Sequence, residues 1–182
     1  MSVDIDRLQG ICADLLDALG QPEDAPGLKD TPRRWARMWQ EFIEYDPGET
    51  ETLFNSIQTD QMVAVQGLRV WSSCEHHLLP FWCDVSIGYL CGDKVLGLSK
   101  FARIAHQCAH RLQIQERLIH EIADEIARIT GAQDVAVIGR GEHLCMTMRG
   151  IKTEGHLITS VMRGRFRHSD AARAEFMDMV RR

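Results

Sequence analysis

The sequence predicts an α+β fold, on three observations. Apolar residues recur at helical spacing near the N-terminus, apolar residues alternate after Pro80, and two helical runs follow one another directly between strand-like segments. Elements arrive in blocks, unlike the regular alternation that builds a parallel sheet.

Ile5, Leu8, Cys12, Leu15, Leu16 and Leu19 repeat at helical period and stop at Gly20. A linker with Pro and Gly, Gln21 to Lys29, follows. Thr31 is expected as an N-cap with Pro32 at the first helical position, opening a helix through Trp35, Met38, Trp39 and Phe42 that Asp46-Pro47-Gly48 ends. Met62 to Trp71 favours a strand, and Phe81, Cys83, Val85, Ile87, Tyr89 and Cys91 occupy one face of a second. Cys83 and Cys91 are therefore expected in the core. Ser99 is expected to cap a helix carrying Phe101, Ile104, Ala105, Cys108 and Leu112, and Leu118, Ile122, Ile126 and Ile129 make another, ended by Gly131. A third strand from about Asp134 would continue through Arg149, with His143, Cys145, Thr147 and Arg149 on one face and Leu144, Met146 and Met148 on the other. A fourth, from about Leu157 to Phe166, pairs back across the Lys152 to Gly155 turn, and Ser169 caps a last helix. The expected organisation is an N-terminal helical extension, residues 1–60, and a catalytic domain, residues 61–182.

The balance of 21 basic and 26 acidic residues, a formal charge of −5, argues against a general nucleic-acid binder, whose phosphate affinity needs surplus Lys and Arg. No apolar run approaches bilayer length, and acidic residues in Met1 to Gly20 are unlike a secretory signal, so a cytoplasmic protein without a membrane partner is expected. The six cysteines then read as reduced thiols.

The chemistry concentrates in Cys74-Glu75-His76-His77 and His143-Leu144-Cys145. Cys74 and His77 have a spacing usual for zinc ligands on a tight loop, and Cys145 supplies a third donor from a distant strand. Cys-x-x-His alone arises often by chance. His76 and His143 beside the proposed ligands, explained by neither packing nor capping, favour a catalytic site with an open fourth position. Gly97-Leu98-Ser99-Lys100 leads into a helix, where Ser99, Lys100 and Arg103 can gather an anion, and Arg149 adds a guanidinium. Gln115 and Glu116 open the next helix; a carboxylate there either complements the helix dipole or accepts two hydrogen bonds from adjacent N–H groups, as guanine presents them.

Taken together, residues 74–81 (Cys-Glu-His-His-Leu-Leu-Pro-Phe), 95–100 (Val-Leu-Gly-Leu-Ser-Lys), 111–118 (Arg-Leu-Gln-Ile-Gln-Glu-Arg-Leu), 143–150 (His-Leu-Cys-Met-Thr-Met-Arg-Gly) and 159–166 (Thr-Ser-Val-Met-Arg-Gly-Arg-Phe) resemble the GTP cyclohydrolase I family. The likeness runs from about residue 28 to 180. It implies a tunnelling fold, in which a four-stranded antiparallel sheet carries two helices between strands 2 and 3, and a homodecamer with active sites between subunits. It implies Zn2+ on Cys74, His77 and Cys145, guanine recognition at Glu116 with Gln115 nearby, and Ser99, Lys100, Arg103 and Arg149 near ribose and triphosphate. Arg34 of Thr-Pro-Arg-Arg corresponds to an arginine from a neighbouring subunit. The implied reaction converts GTP and water to 7,8-dihydroneopterin triphosphate and formate. In it His143 is expected to protonate nitrogen 7 of the purine during attack on carbon 8, His76 to carry protons later, and Ser99 to assist the ribose rearrangement. Ser86, Cys91, Gly141-Glu142 and the segment Thr153-Glu154-Gly155-His156 depart from the family pattern, which leaves room for a specialised paralogue acting on a related guanine nucleotide. A deazapurine nitrile reductase and a non-catalytic purine-binding module are the remaining alternatives.

Overall fold

The computed structural model describes residues 2–22 and 25–181, so the middle of the expected linker, residues 23 and 24, lies outside the described residues. Two compact units divide at Asp46/Pro47.

The N-terminal unit is a helix pair. α1 (Ile5–Ala18) is N-capped by Asp4, whose side chain accepts from Arg7 N, and buries Cys12 and Leu16. α2 (Thr31–Ile43) begins one residue earlier than expected: Asp30 is the N-cap and Thr31 already helical. Pro32 falls in the first turn, where a missing N–H costs no hydrogen bond.

The second unit is α+β. Its strands are β1 (Leu53–Asn55), β2 (Met62–Cys74), β3 (Pro80–Leu90), β4 (Lys94–Leu96), β5 (Leu112–Gln113), β6 (Val135–His143) and β7 (Leu157–Met162). Its helices are α3 (Leu98–Ala109), α4 (Gln115–Thr130), α5 (Leu144–Thr147), α6 (Arg165–His168) and α7 (Asp170–Met179). Among the described residues the main sheet has five strands, ordered β5-β2-β3-β6-β7, rather than the four expected. The addition is β5, two residues that pair in parallel with Ser73 and Cys74, too short for a periodicity to reveal. β1 and β4 form a separate two-stranded ribbon.

The β2–β3 hairpin carries a bulge between Val65 and Leu68, where Gly67 has φ +70°. One sheet face packs on α3 and α4: Val85, Ile87 and Val137 meet Ile104, Leu118, Ile119 and Ile122, all fully buried. Cys83 and Cys91 lie in this core as expected, and burial pushes the Cys83 thiol up to about 12. Opposite, α6 and α7 bring Phe166 and Phe176 against Leu90 and Ala136, with the Phe176 ring over Gly88, where any Cβ would collide.

Three further expectations need correction. Gly97, not Ser99, is the N-cap of α3; Ser99 lies within the helix and makes no capping hydrogen bond. The third strand stops at His143, and Leu144–Thr147 form a helical turn closed by Met148 N to Leu144 O at 3.0 Å. Leu and Met are good helix formers, and over so short a span their alternation with polar residues imitates a strand. Finally, β7 ends at Met162, because Gly164 at φ +54° turns the chain and Arg165 N donates to the Asp134 carboxylate at 2.7 Å, leading Phe166 into α6.

No helix among the described residues is long and apolar enough to cross a membrane.

Candidate metal centre

Three chain segments converge at one end of the sheet. Cys74 closes β2, and a tight turn follows: Cys74 N donates to Leu79 O at 2.8 Å, while Cys74 O accepts from Leu78 N at 2.8 Å. Leu78 adopts φ +54° within it, a left-handed conformation rare outside glycine and its polar substitutes. The turn swings His77 back over Cys74. Across the sheet, Phe81 on β3 stands opposite His143 on β6, and the α5 turn, by leaving strand geometry immediately afterwards, aims Cys145 at Cys74. The sulfur atoms of Cys74 and Cys145 and a ring nitrogen of His77 all lie within 4.8 Å of one another.

Tetrahedral zinc with bonds of about 2.0–2.3 Å separates its ligand atoms by about 3.3–3.8 Å. Closing this group onto such an ion takes small side-chain movements. Two thiols and an imidazole are the donors zinc prefers, and three of them leave a fourth position open. Burial raises the Cys145 thiol, and the adjacent Cys74 sulfur raises it further. A cation that takes both as thiolates removes that penalty.

The other expected site residues fall into three groups. Around the donors, His76 is exposed with Nδ1 3.8 Å from the Cys74 sulfur. His143 stacks on Phe81, ring centroids 4.5 Å apart and planes within 10°. Burial lowers the His143 imidazole below its ordinary range, and the Glu116 carboxylate opposes that shift. Gln115 is fully buried with its Oε1 3.0 Å from His143 Nε2, whereas Glu116 is exposed. Arg149 follows α5 rather than sharing a strand face with Cys145, yet its charge still lowers the Cys145 thiol against the larger raising influences.

A second group lies at the start of α3. Ser99 is exposed, Lys100 Nζ donates to Glu49 O at 2.6 Å, and Arg103 donates to Pro47 O. Both cations are thus held by backbone carbonyls of one irregular segment, in which Gly48 has φ +67°. Arg34 belongs to the N-terminal unit, where its guanidinium donates to Gly27 O and to Thr31 Oγ1, each at 3.2 Å.

Several participants were not legible in the sequence. Phe81 reads as one more core residue of an alternating strand, and nothing local marks it as a platform for His143. Arg117 donates to Glu75 at 2.5 Å and to Gln113 Oε1 at 2.7 Å, tying the ligand turn to the start of α4. Glu75 thereby has a structural role, anchoring the turn, rather than a place among the donors.

Fold and site together define an α+β protein with a three-donor, open-sided candidate metal centre beside a stacked histidine. The chain belongs to the GTP cyclohydrolase I family, whose model matches residues 8–181. Among its relatives, GTP cyclohydrolase 1 of Pseudoalteromonas atlantica is 46% identical over 171 residues, 91% of this chain and 93% of that protein. GTP cyclohydrolase 1 of Hyperthermus butylicus is 41% identical across 99% of this chain and 93% of its own length. The one from Aquifex aeolicus is 39% identical across 100% and 99%. A crystal structure of the archaeosine synthase QueF-Like in the apo form overlaps 57% of this chain and 95% of its own, with TM-score 0.43 and 16% identity.

Proposed function

We propose that this enzyme hydrolyses the imidazole ring of GTP, yielding 7,8-dihydroneopterin triphosphate and formate, at a centre held by Cys74, His77 and Cys145. The observation that carries this reading is the convergence of those three donors beside His143, in a chain that matches the family almost end to end. Zinc is the ion we assign to them; when bound it supplies Lewis-acid activation of water at neutral pH.

His143 protonates nitrogen 7 of the purine, making carbon 8 electrophilic; water adds there and the carbon 8–nitrogen 9 bond breaks, and hydrolysis of the resulting formamide by a second water releases formate. The exposed His76 ring carries protons in later steps, and Ser99 assists the ribose rearrangement before the pterin ring closes. Lys100, Arg103 and Arg149 bind the triphosphate. Phosphate oxygens are stronger acceptors than the carbonyls of Pro47 and Glu49 that now hold two of these cations, so nucleotide entry draws the Lys100 and Arg103 side chains off that segment. The Glu116 carboxylate accepts the two adjacent N–H groups of guanine, with Gln115 nearby.

The catalytic domain, residues 61–182, adopts a tunnelling fold and assembles as a homodecamer in the cytoplasm, with Arg34 reaching a neighbouring subunit's site. In support, among the described residues β7 pairs with β6 alone, so its other edge is open to a second copy.

Incubating zinc-loaded protein with GTP while following formate release and pterin fluorescence tests the reading. Both signals are expected, and both disappear with the metal on chelation. A zinc-replete sample that releases no formate sinks it.

A further inference from the structure

Gln115 was expected near the guanine, but its surroundings give it different work. The side chain is fully buried, and both ends of its amide are engaged. Nε2 lies 3.1 Å from Gly139 O, 2.9 Å from Leu157 O and 3.0 Å from Thr159 Oγ1, while Oε1 lies 3.0 Å from His143 Nε2. Two of the three neighbours of Nε2 are backbone carbonyls, which only accept, so that end must be the NH2 group. Turning the amide over would set its oxygen against two other oxygens. Oε1 offers only lone pairs, so the hydrogen in the remaining bond comes from His143.

We propose that Gln115 is a positioning residue that fixes His143 as the Nε2–H tautomer and leaves Nδ1 as the ring nitrogen that carries the free lone pair. The inference rests on His143 as the acid of the proposed reaction. Phe81 sets the plane of the ring, and Gln115 sets which edge of it carries the permanent hydrogen. An amide whose two hydrogens are shared among three acceptors has no donor left for a purine. Recognition of guanine then falls to the exposed Glu116 next to it.

The niche is built for this amide. Gly139, Gly141 and His143 occupy one face of β6 at alternate positions, and α4 packs over that strand. A Cβ at Gly141 would come within 2.3 Å of Gln115 Oε1 and 2.7 Å of Trp82 O; one at Gly139 would meet Cys83 Sγ and the Ile119 side chain at 2.8 Å. The missing side chain at Gly141 leaves the space that the Gln115 amide oxygen fills beside His143, while the one at Gly139 is taken up by Cys83 and Ile119.

Neutron diffraction from deuterated crystals of the zinc-loaded wild-type enzyme reads the tautomer directly. Nuclear density for a deuteron on His143 Nε2, pointing at Gln115 Oε1, is expected; a neutral ring with its deuteron on Nδ1 alone overturns the proposal. Steady-state kinetics of Gln115→Met supply the second arm. We expect kcat to fall on the order of 10²-fold, the lower range of what acid–base catalysis contributes, with KM for GTP within about twofold of wild type. Gly141→Ala, which retains Gln115 but crowds its oxygen, is expected to lower kcat in the same way. A raised KM at unchanged kcat in Gln115→Met returns the residue to guanine binding and overturns the proposal. Should Gln115→Met not fold, the wild-type neutron map and Gly141→Ala still decide. Wild-type turnover by a zinc-loaded His143→Ala would remove the acid while leaving the tautomer measurement intact, so the two failures are distinguishable.

Discussion

His143 is caught between a flat apolar ring and an amide oxygen, and both constraints act on a side chain that begins where β6 ends. Losing it removes the proposed proton donor without removing any of the three candidate metal donors. His143→Ala is therefore expected to lower kcat by about 10²–10⁴-fold, the contribution usual for a positioned general acid, at unchanged zinc content by elemental analysis. Cys145→Ala is expected to behave oppositely, with zinc content falling and activity lost alongside it. The candidate donor group is legible in the sequence, because Cys-x-x-His and a distant Cys flanked by spare imidazoles are chemically conspicuous. The contacts that Gln115 and Phe81 make with His143 are not. Their parts depend on which atoms face His143 across strand and helix, and a residue's own neighbours in sequence carry no trace of that.

At the scale of single elements, the long helices leave a clearer trace in the sequence than the short pieces between them. α4 ends at Gly131, as its sequence indicates, and that residue holds φ +72° as the C-cap. Gly131→Ala should cost about 1 kcal/mol, since Ala resists this conformation and the space around the position is open, leaving no packing to compensate. Equilibrium urea unfolding measures it. β5 and α5 were missed because two to four residues cannot display a period, yet these pieces set the donor geometry: β5 pins Cys74, and α5 turns Cys145 toward it. In α3, burial lowers the His106 imidazole from its ordinary value of 6.5, and His110 lowers it further. Above pH 6.5 the ring is neutral whether folded or unfolded and has no effect on the pH slope. As pH falls below 6.5 the unfolded chain takes up a proton that the folded one refuses, so stability declines until the folded ring also titrates. His106→Gln should flatten this part of the stability profile between pH 7 and 5, and an unchanged slope would show that another group causes it.

For the molecule as a whole, the class of fold was recoverable because blocks of helical and strand period survive in the sequence, while the sheet's order and its fifth strand depend on pairings across long separations. The open edge of β7 gives the assembly proposal a direct test. Light scattering should return a multiple of the single-chain mass. The β7 amides facing away from β6 should exchange slowly in the assembly and quickly after dilution below its dissociation range; fast exchange under both conditions would mean that this edge is not the joint.

The distribution of the six cysteines has a practical consequence. Cys12, Cys74, Cys83, Cys91 and Cys108 are buried, and Cys145 alone is partly open to solvent. Burial pushes the Cys108 thiol, like that of Cys83, up to about 12, which leaves both core sulfurs unreactive toward electrophiles at neutral pH. The Cys145 thiol is raised as well, but it is the sulfur a reagent can reach, so alkylation, slow at neutral pH, begins at the donor group itself. The chain carries its own occupancy gauge: uptake of label at one position counts vacant centres in a preparation, and protection from labelling counts filled ones, before any nucleotide is added.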